Sequence, residues 1–239
     1  MHRNFLFDLD QTLLNFHASE RKALEIVVTR YGLNWSDGAY THFKAYNKSL
    51  WLELEKGTIT RRELFTLRFN DLISFCGGEG KGIDPLKIND EFIYTMSVNG
   101  VLMDGALPFV QKLKENIRDS RIYIVSNGAT INALGRIRST GLDQYIDGTY
   151  ISEDMGITKP AKEFFDKVLA DIAEPKESCI VIGDSLTSDM QGAKNASLTS
   201  VWFMPEGDME GALATYDINY CASSFDELYN VLSEWSKSV

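Results

Sequence analysis

Several apolar runs in this chain end in carboxylates and hydroxyls. Phe5-Leu6-Phe7 runs into Asp8-Leu9-Asp10-Gln11-Thr12, and Cys179-Ile180-Val181-Ile182 runs into Gly183-Asp184-Ser185-Leu186-Thr187-Ser188-Asp189. A third run, Arg121-Ile122-Tyr123-Ile124-Val125, ends in Ser126-Asn127-Gly128, and Lys159-Pro160 precedes a helical stretch. In an open parallel sheet the loops leaving the carboxyl ends of the strands form the ligand crevice. Asp8, Asp10, Asp184 and Asp189 gathered at such an edge would repel one another strongly in a partly dry cleft. A hard divalent cation relieves this repulsion, and oxygen ligands together with substrate phosphate oxygens suit Mg²⁺. The remaining groups suit phosphoryl transfer, which needs an in-line nucleophile, neutralised equatorial oxygens and an acid for the leaving oxygen. An aspartate can serve as nucleophile because an aspartyl phosphate divides one hard displacement into two easier ones. A serine hydroxyl, backbone N–H groups and a lysine ammonium can bind the phosphoryl oxygens.

Each piece alone has a plainer reading. D-x-D after an apolar strand is often a solvated turn, Ser-Asn-Gly a loop, Lys-Pro a turn before a helix, and Gly-Asp-Ser a helix cap. Four such pieces in order, three of them at strand ends, favour the catalytic reading. Gly77-Gly78-Glu79-Gly80-Lys81-Gly82 does not fit a nucleotide-binding P-loop, because Lys81 is followed by Gly82 and the segment follows a helix. His2, His17 and His42 show no ligand spacing. Cys179, inside an apolar run, reads as a packing residue.

The elements that must position these groups change rhythm along the chain. After the first short strand, residues 19–31, 37–56 and 60–75 carry apolar residues at helical spacing, and Thr60-Arg61-Arg62-Glu63 reads as a capping box. A fourth helix includes Phe92, Ile93, Met96 and Val98. The aromatic residues of this stretch (Trp35, Tyr40, Phe43, Tyr46, Trp51, Phe65, Phe69, Phe75) read mainly as core, with one or two free to stack on a base. From about Val101 strands and helices alternate: helix 108–116, strand 121–125, helix 131–140, an extended stretch 145–152, helix 162–172, strand 179–182, helix 190–196, strands 200–204 and 218–221, and helix 225–235. Near-continuous apolar strands alternating with helices imply an α/β fold with a doubly wound parallel sheet covered on both faces. The expected division is a core of residues 1–15 and 101–239, interrupted by an all-α insertion of residues 16–100.

Composition narrows the partners. The 239 residues carry 24 Lys+Arg against 34 Asp+Glu, a formal net charge of −10. That balance disfavours a nucleic acid polymer or an anionic membrane surface, while one local cation can still admit a small anionic substrate. No run of about 18 apolar residues is present to span a bilayer. Three cysteines without C-x-x-C spacing and no export signal point to a soluble protein of the reducing cytoplasm. Oligomeric state is not legible, and a monomer is compatible with the pattern.

Taken together, D-x-D-x-T, S-N-G, K-P and G-D-S-x-x-S-D resemble the four motifs of the haloacid dehalogenase-like hydrolase superfamily. The resemblance extends over the whole chain, because the helical insertion falls where a C1-type cap lies. It implies a Rossmann-like core, Mg²⁺ dependence and a phosphoaspartate intermediate. On that resemblance Asp8 is the nucleophile and Asp10 the general acid/base, while Ser126 and Lys159 stabilise the phosphate and the intermediate. Asp8, the backbone carbonyl of Asp10, and Asp184 would ligate Mg²⁺, with Asp189 behind them. Thr12 would steady the first loop, and Asn127 and Gly128 would join the phosphate site. Asp10 also separates subfamilies, since halide departure needs no proton and an alkoxide does. The phrases at residues 5–13, 55–64 and 125–129 further resemble the bacterial pyrimidine 5′-nucleotidase branch, implying a nucleoside 5′-monophosphate as the favoured small phosphorylated partner. The alternatives are a phosphoglycolate or sugar-phosphate phosphatase, a phosphomutase, and a non-catalytic phosphometabolite-binding protein.

Overall fold

The computed structural model describes residues 2–203 and 209–238. In chain order the elements are β1 (Arg3–Phe7), then α1 (Phe16–Arg30), α2 (Asp37–Glu55), α3 (Arg61–Phe75) and α4 (Pro85–Ser97). There follow α5 (Ala106–Asn116), β2 (Ser120–Ser126), α6 (Thr130–Ser139), β3 (Gly148–Ile151), α7 (Ser152–Met155) and α8 (Lys162–Ile172). The chain closes with β4 (Cys179–Gly183), α9 (Gln191–Ala196), β5 (Thr199–Phe203), α10 (Met209–Tyr216), β6 (Tyr220–Ala222) and α11 (Phe225–Ser236). Two compact units result: residues Met1–Phe16 with Gly100–Val239, and residues His17–Asn99. Among the described residues no helix is long and apolar enough to cross a membrane.

The first unit is a six-stranded, all-parallel sheet in the order β3-β2-β1-β4-β5-β6. Consecutive strand residues point to opposite faces, and here both faces are apolar. Phe5, Phe7, Ile122, Ile124, Ile180, Ile182, Val201 and Phe203 bury one face together with residues of α5, α6 and α11. Leu6, Tyr123, Val125, Cys179 and Val181 bury the other face with Phe164, Phe165 and Val168 of α8 and Ala193 of α9. β1 lies between β2 and β4, so the strand order reverses there. That reversal opens a crevice at the carboxyl ends, where a Rossmann-like sheet binds its ligand.

The second unit is all-α. Phe43, Phe69 and Phe92 meet ring to ring at its centre, with centroids 5.5 to 6.1 Å apart. Arg68 is buried among them, its guanidinium carbon 4.8 Å from the Phe65 ring centroid and its Nε donating to Asn89 Oδ1. The Thr60 capping box forms as expected: Thr60 Oγ1 accepts from the Glu63 N–H, and the Glu63 carboxylate accepts from the Thr60 N–H.

Local differences from the sequence expectations have physical causes. α1 starts at Phe16, three residues before the apolar periodicity becomes legible. α5 starts at Ala106, because Gly105 takes a left-handed conformation (φ 85°) and Pro108 is tolerated within the first turn, where no intrahelical donor is lost. The stretch 145–152 is a strand only from Gly148, following a short 3₁₀ turn at Leu142–Gln144. α7 and α10, short and weakly patterned, are not legible in the sequence. The helix expected at 190–196 is preceded by a π-helical turn, Leu186–Met190. β5 ends at Phe203, and Met204, the last residue of the expected strand, lies outside the described residues. Trp51 and Phe75, expected in the helical core, are exposed; Phe75 instead stacks on His42 with ring centroids 4.2 Å apart.

Candidate active site

The crevice residues are held by the strand ends themselves. Asp8 follows β1 directly, and its N–H donates to the Ile182 carbonyl of β4 at 2.8 Å. The chain then folds back on itself: Leu13 and Leu14 N–H groups donate to the Leu9 carbonyl, and Gln11 N–H to that of Leu14. Gln11 sits at φ 60°, which explains a position suited to Gly or Asn. Thr12, fully buried, directs its hydroxyl to Asp8 Oδ2 at 3.4 Å.

Lys159 is the centre of the site. Its Nζ donates to Asp8 Oδ1 (2.6 Å), Asp189 Oδ1 (2.6 Å) and the Val125 carbonyl (2.7 Å), so all three ammonium hydrogens are used. The Asn127 side chain clamps the backbone on either side of it, Oδ1 accepting from Lys159 N–H (2.8 Å) and Nδ2 donating to the Lys159 carbonyl (2.9 Å). Asn127, expected to join the phosphate site, therefore spends its side chain on bracing Lys159. Ser126 Oγ accepts from the Gly128 N–H at 3.2 Å, in the loop between β2 and α6.

One carboxylate oxygen from each of Asp8, Asp184 and Asp189 lies within 4.8 Å of the others. Asp189 is also held by the Ser185 N–H at 3.1 Å, and Trp202 Nε1 donates to the Asp184 carbonyl at 2.9 Å. Burial pushes the Asp184 carboxyl up to about 6, with the Asp189 charge adding to it. Burial likewise pushes Asp8 up, Lys159 pulls it back, and the charges of Asp189 and Asp10 raise it further. Burial alone would lower Lys159, but Asp189 and Asp8 together outweigh it and hold the ammonium charged. Three carboxylates against one ammonium leave two negative charges at a spot lined by hard oxygen donors. That donor set fits a divalent cation such as Mg²⁺.

Asp10, the fourth carboxylate expected at this edge, is not one of that close group, though its charge still raises both Asp8 and Asp184. Its carboxylate accepts from both terminal nitrogens of Arg136, on α6. Sequence reasoning missed Arg136. The available signal was a cation on the apolar face of a helix, at the spacing of Ala133, Arg136 and Ile137, which are all buried.

Gly183 ends β4 with no room for a side chain. A Cβ built there would lie 2.2 Å from Asp189 Oδ2. Gly183→Ala is expected to push Asp189 off Lys159, lowering stability by about 1–3 kcal/mol. Urea unfolding checks the loss, and unchanged stability would mean that the cluster has slack.

The sequence pattern of the haloacid dehalogenase-like hydrolases matches residues 2–197. The chain belongs to that family. Across 97% of its length this hydrolase is 31% identical to YfnB, a HAD-hydrolase of Bacillus subtilis, covering 96% of it. It is 35% identical to the pyrimidine 5′-nucleotidase PynA of Streptococcus pneumoniae, covering 84% of this chain and 83% of PynA. It is 30% identical to the pyrimidine 5′-nucleotidase YjjG of Escherichia coli, covering 84% and 88%. The crystal structure of YfnB, described as bound to magnesium, superposes with a TM-score of 0.79 over 97% of this chain and 98% of that one.

Proposed function

We propose that this hydrolase is a Mg²⁺-dependent phosphomonoesterase that works through an aspartyl phosphate and favours nucleoside 5′-monophosphates with pyrimidine bases. The observation that carries the phosphatase reading is the convergence of Asp8, Asp184 and Asp189 around Lys159. The pyrimidine preference is supported by the identity to PynA and YjjG.

In the first step an Asp8 carboxylate oxygen attacks phosphorus as the ester P–O bond breaks, and Asp10 gives its proton to the departing oxygen. In the second, Asp10 takes a proton from water, whose oxygen bonds to phosphorus as the Asp8 O–P bond breaks. Lys159 carries positive charge beside the reacting oxygens, and the Ser126 hydroxyl with the amides that follow it receives the phosphoryl oxygens. Asp8, Asp184 and the Asp10 carbonyl would hold Mg²⁺, with Asp189 behind them; the ion would neutralise phosphoryl charge. In chain position the all-α insertion of residues 17–99 corresponds to the C1-type cap of the family.

The test is phosphate release from UMP, dUMP, dTMP, purine nucleotides, phosphoglycolate and sugar phosphates, with Mg²⁺ and with EDTA. Pyrimidine nucleotides should exceed the rest in kcat/KM by about 10-fold or more. EDTA should abolish release, and Mg²⁺ should restore it. Equal ranking across the panel would remove the nucleotide preference, and full activity in EDTA would remove the metal.

A further inference from the structure

Arg136 belongs to none of the motifs that carry the chemistry, yet it grips one of their carboxylates. It is 2% exposed, and its Nη1 and Nη2 donate separately to Asp10 Oδ1 and Oδ2. The Asp10 side chain is 29% exposed, so the pair is anchored from the arginine's side. The arginine in turn is pinned by its surroundings. Its guanidinium carbon lies 5.5 Å from the ring centroid of Phe16, and its carbonyl accepts from the Thr140 hydroxyl at 2.8 Å. The same carbonyl stands 2.8 Å from where a Cβ on Gly100 would be. Phe16 and Gly100 are the residues at which the chain leaves and rejoins the sheet unit. A buried guanidinium is costly unless its donors are matched, and Nε has no partner here. The fork to Asp10 is what matches the other end.

We propose that Arg136 is a positioning residue for the phosphoester reaction, fixing the carboxylate of Asp10 from α6 so that it meets the leaving oxygen. The proposal rests on Asp10 acting as the proton donor. A guanidinium fork sets both oxygens of a carboxylate at once, where a lysine would set one. Without the fork Asp10 is free to rotate among its side-chain conformers, and a misplacement of a single ångström costs a catalytic group most of its effect.

The experiment compares the parent chain with Arg136→Met, Asp10→Asn and the double variant in single-turnover release of the leaving group from UMP and from p-nitrophenyl phosphate, which reads the first step alone. The ester oxygen of UMP leaves as an alkoxide and needs a proton; nitrophenolate leaves without one. Arg136→Met is expected to slow uridine release from UMP by about 10–100-fold and to alter nitrophenolate release far less. On the Asp10→Asn background the same change should cost nothing further on UMP. Arg136→Lys, which keeps the charge and folds if Arg136→Met does not, should fall between, with circular dichroism reporting the folded fraction. Equal loss on both substrates, loss that persists without Asp10, or no loss at all would overturn the proposal. Should Asp10→Asn itself cost both substrates equally, the proton-donor reading fails instead, a result separate from any behaviour of Arg136.

Discussion

Asp8→Asn is expected to abolish phosphate release, lowering kcat on the order of 10⁵-fold, as loss of a nucleophile does. The amide has the size of the carboxylate, so the Thr12 hydroxyl and Lys159 keep a neighbour at the same place. Burial already pushes the Asp8 carboxyl up, so a neutral group at that position removes a strain on the metal-free protein. The thermal midpoint in EDTA should therefore stay within about 2–4 °C of the parent or rise. Activity within tenfold of the parent in a cleanly purified variant would show that another group attacks phosphorus.

Lys159→Met should have the second largest effect, and on stability as well as rate. The ammonium satisfies two buried carboxylates and the Val125 carbonyl. Removing one partner of a buried ion pair leaves uncompensated charge and costs about 3–5 kcal/mol, or about 6–20 °C in the midpoint for a chain of this length. Turnover should fall about 10²–10³-fold with the charge beside the reacting oxygens gone. Mg²⁺ should recover part of the midpoint, because the carboxylates stripped of lysine still offer oxygens to a cation. Calorimetry with EDTA and with Mg²⁺ reads both quantities. An unchanged midpoint in EDTA would mean that Asp8 and Asp189 do not depend on this lysine for their charge.

Much of the sheet was legible because both of its faces are buried. The runs at Phe5–Phe7, Ile122–Val125 and Cys179–Ile182 are almost wholly apolar, and few other structures accept such strands. Asp8 and Asp184 were legible because they sit next to those runs, where backbone direction alone sets their place; Lys159, in the loop ahead of α8, was legible only through its Lys-Pro motif. The partners of Asp10 and Asn127 were not. Arg136 lies 126 residues from Asp10, and Asn127 lies 32 from Lys159, so only the three-dimensional path brings each pair together. The exposure of Trp51 and Phe75 escaped notice for a related reason. Helical spacing shows which residues share a face, but not whether anything covers that face.

β1, the strand that delivers Asp8, is also the one that waits longest for its partners during synthesis. β1 pairs with β2 from Ser120 onward and with β4 from Cys179 onward, so residues 3–7 emerge from the ribosome far ahead of both neighbours. All of residues 17–99 are synthesised in between. Sheet formation must wait for distant segments and for closure of a large loop, which places this chain among the slower-folding topologies. Until about residue 183 has been made, Phe5, Leu6 and Phe7 remain a bare sticky edge, and the nascent protein has a chaperone's reasons to be sheltered.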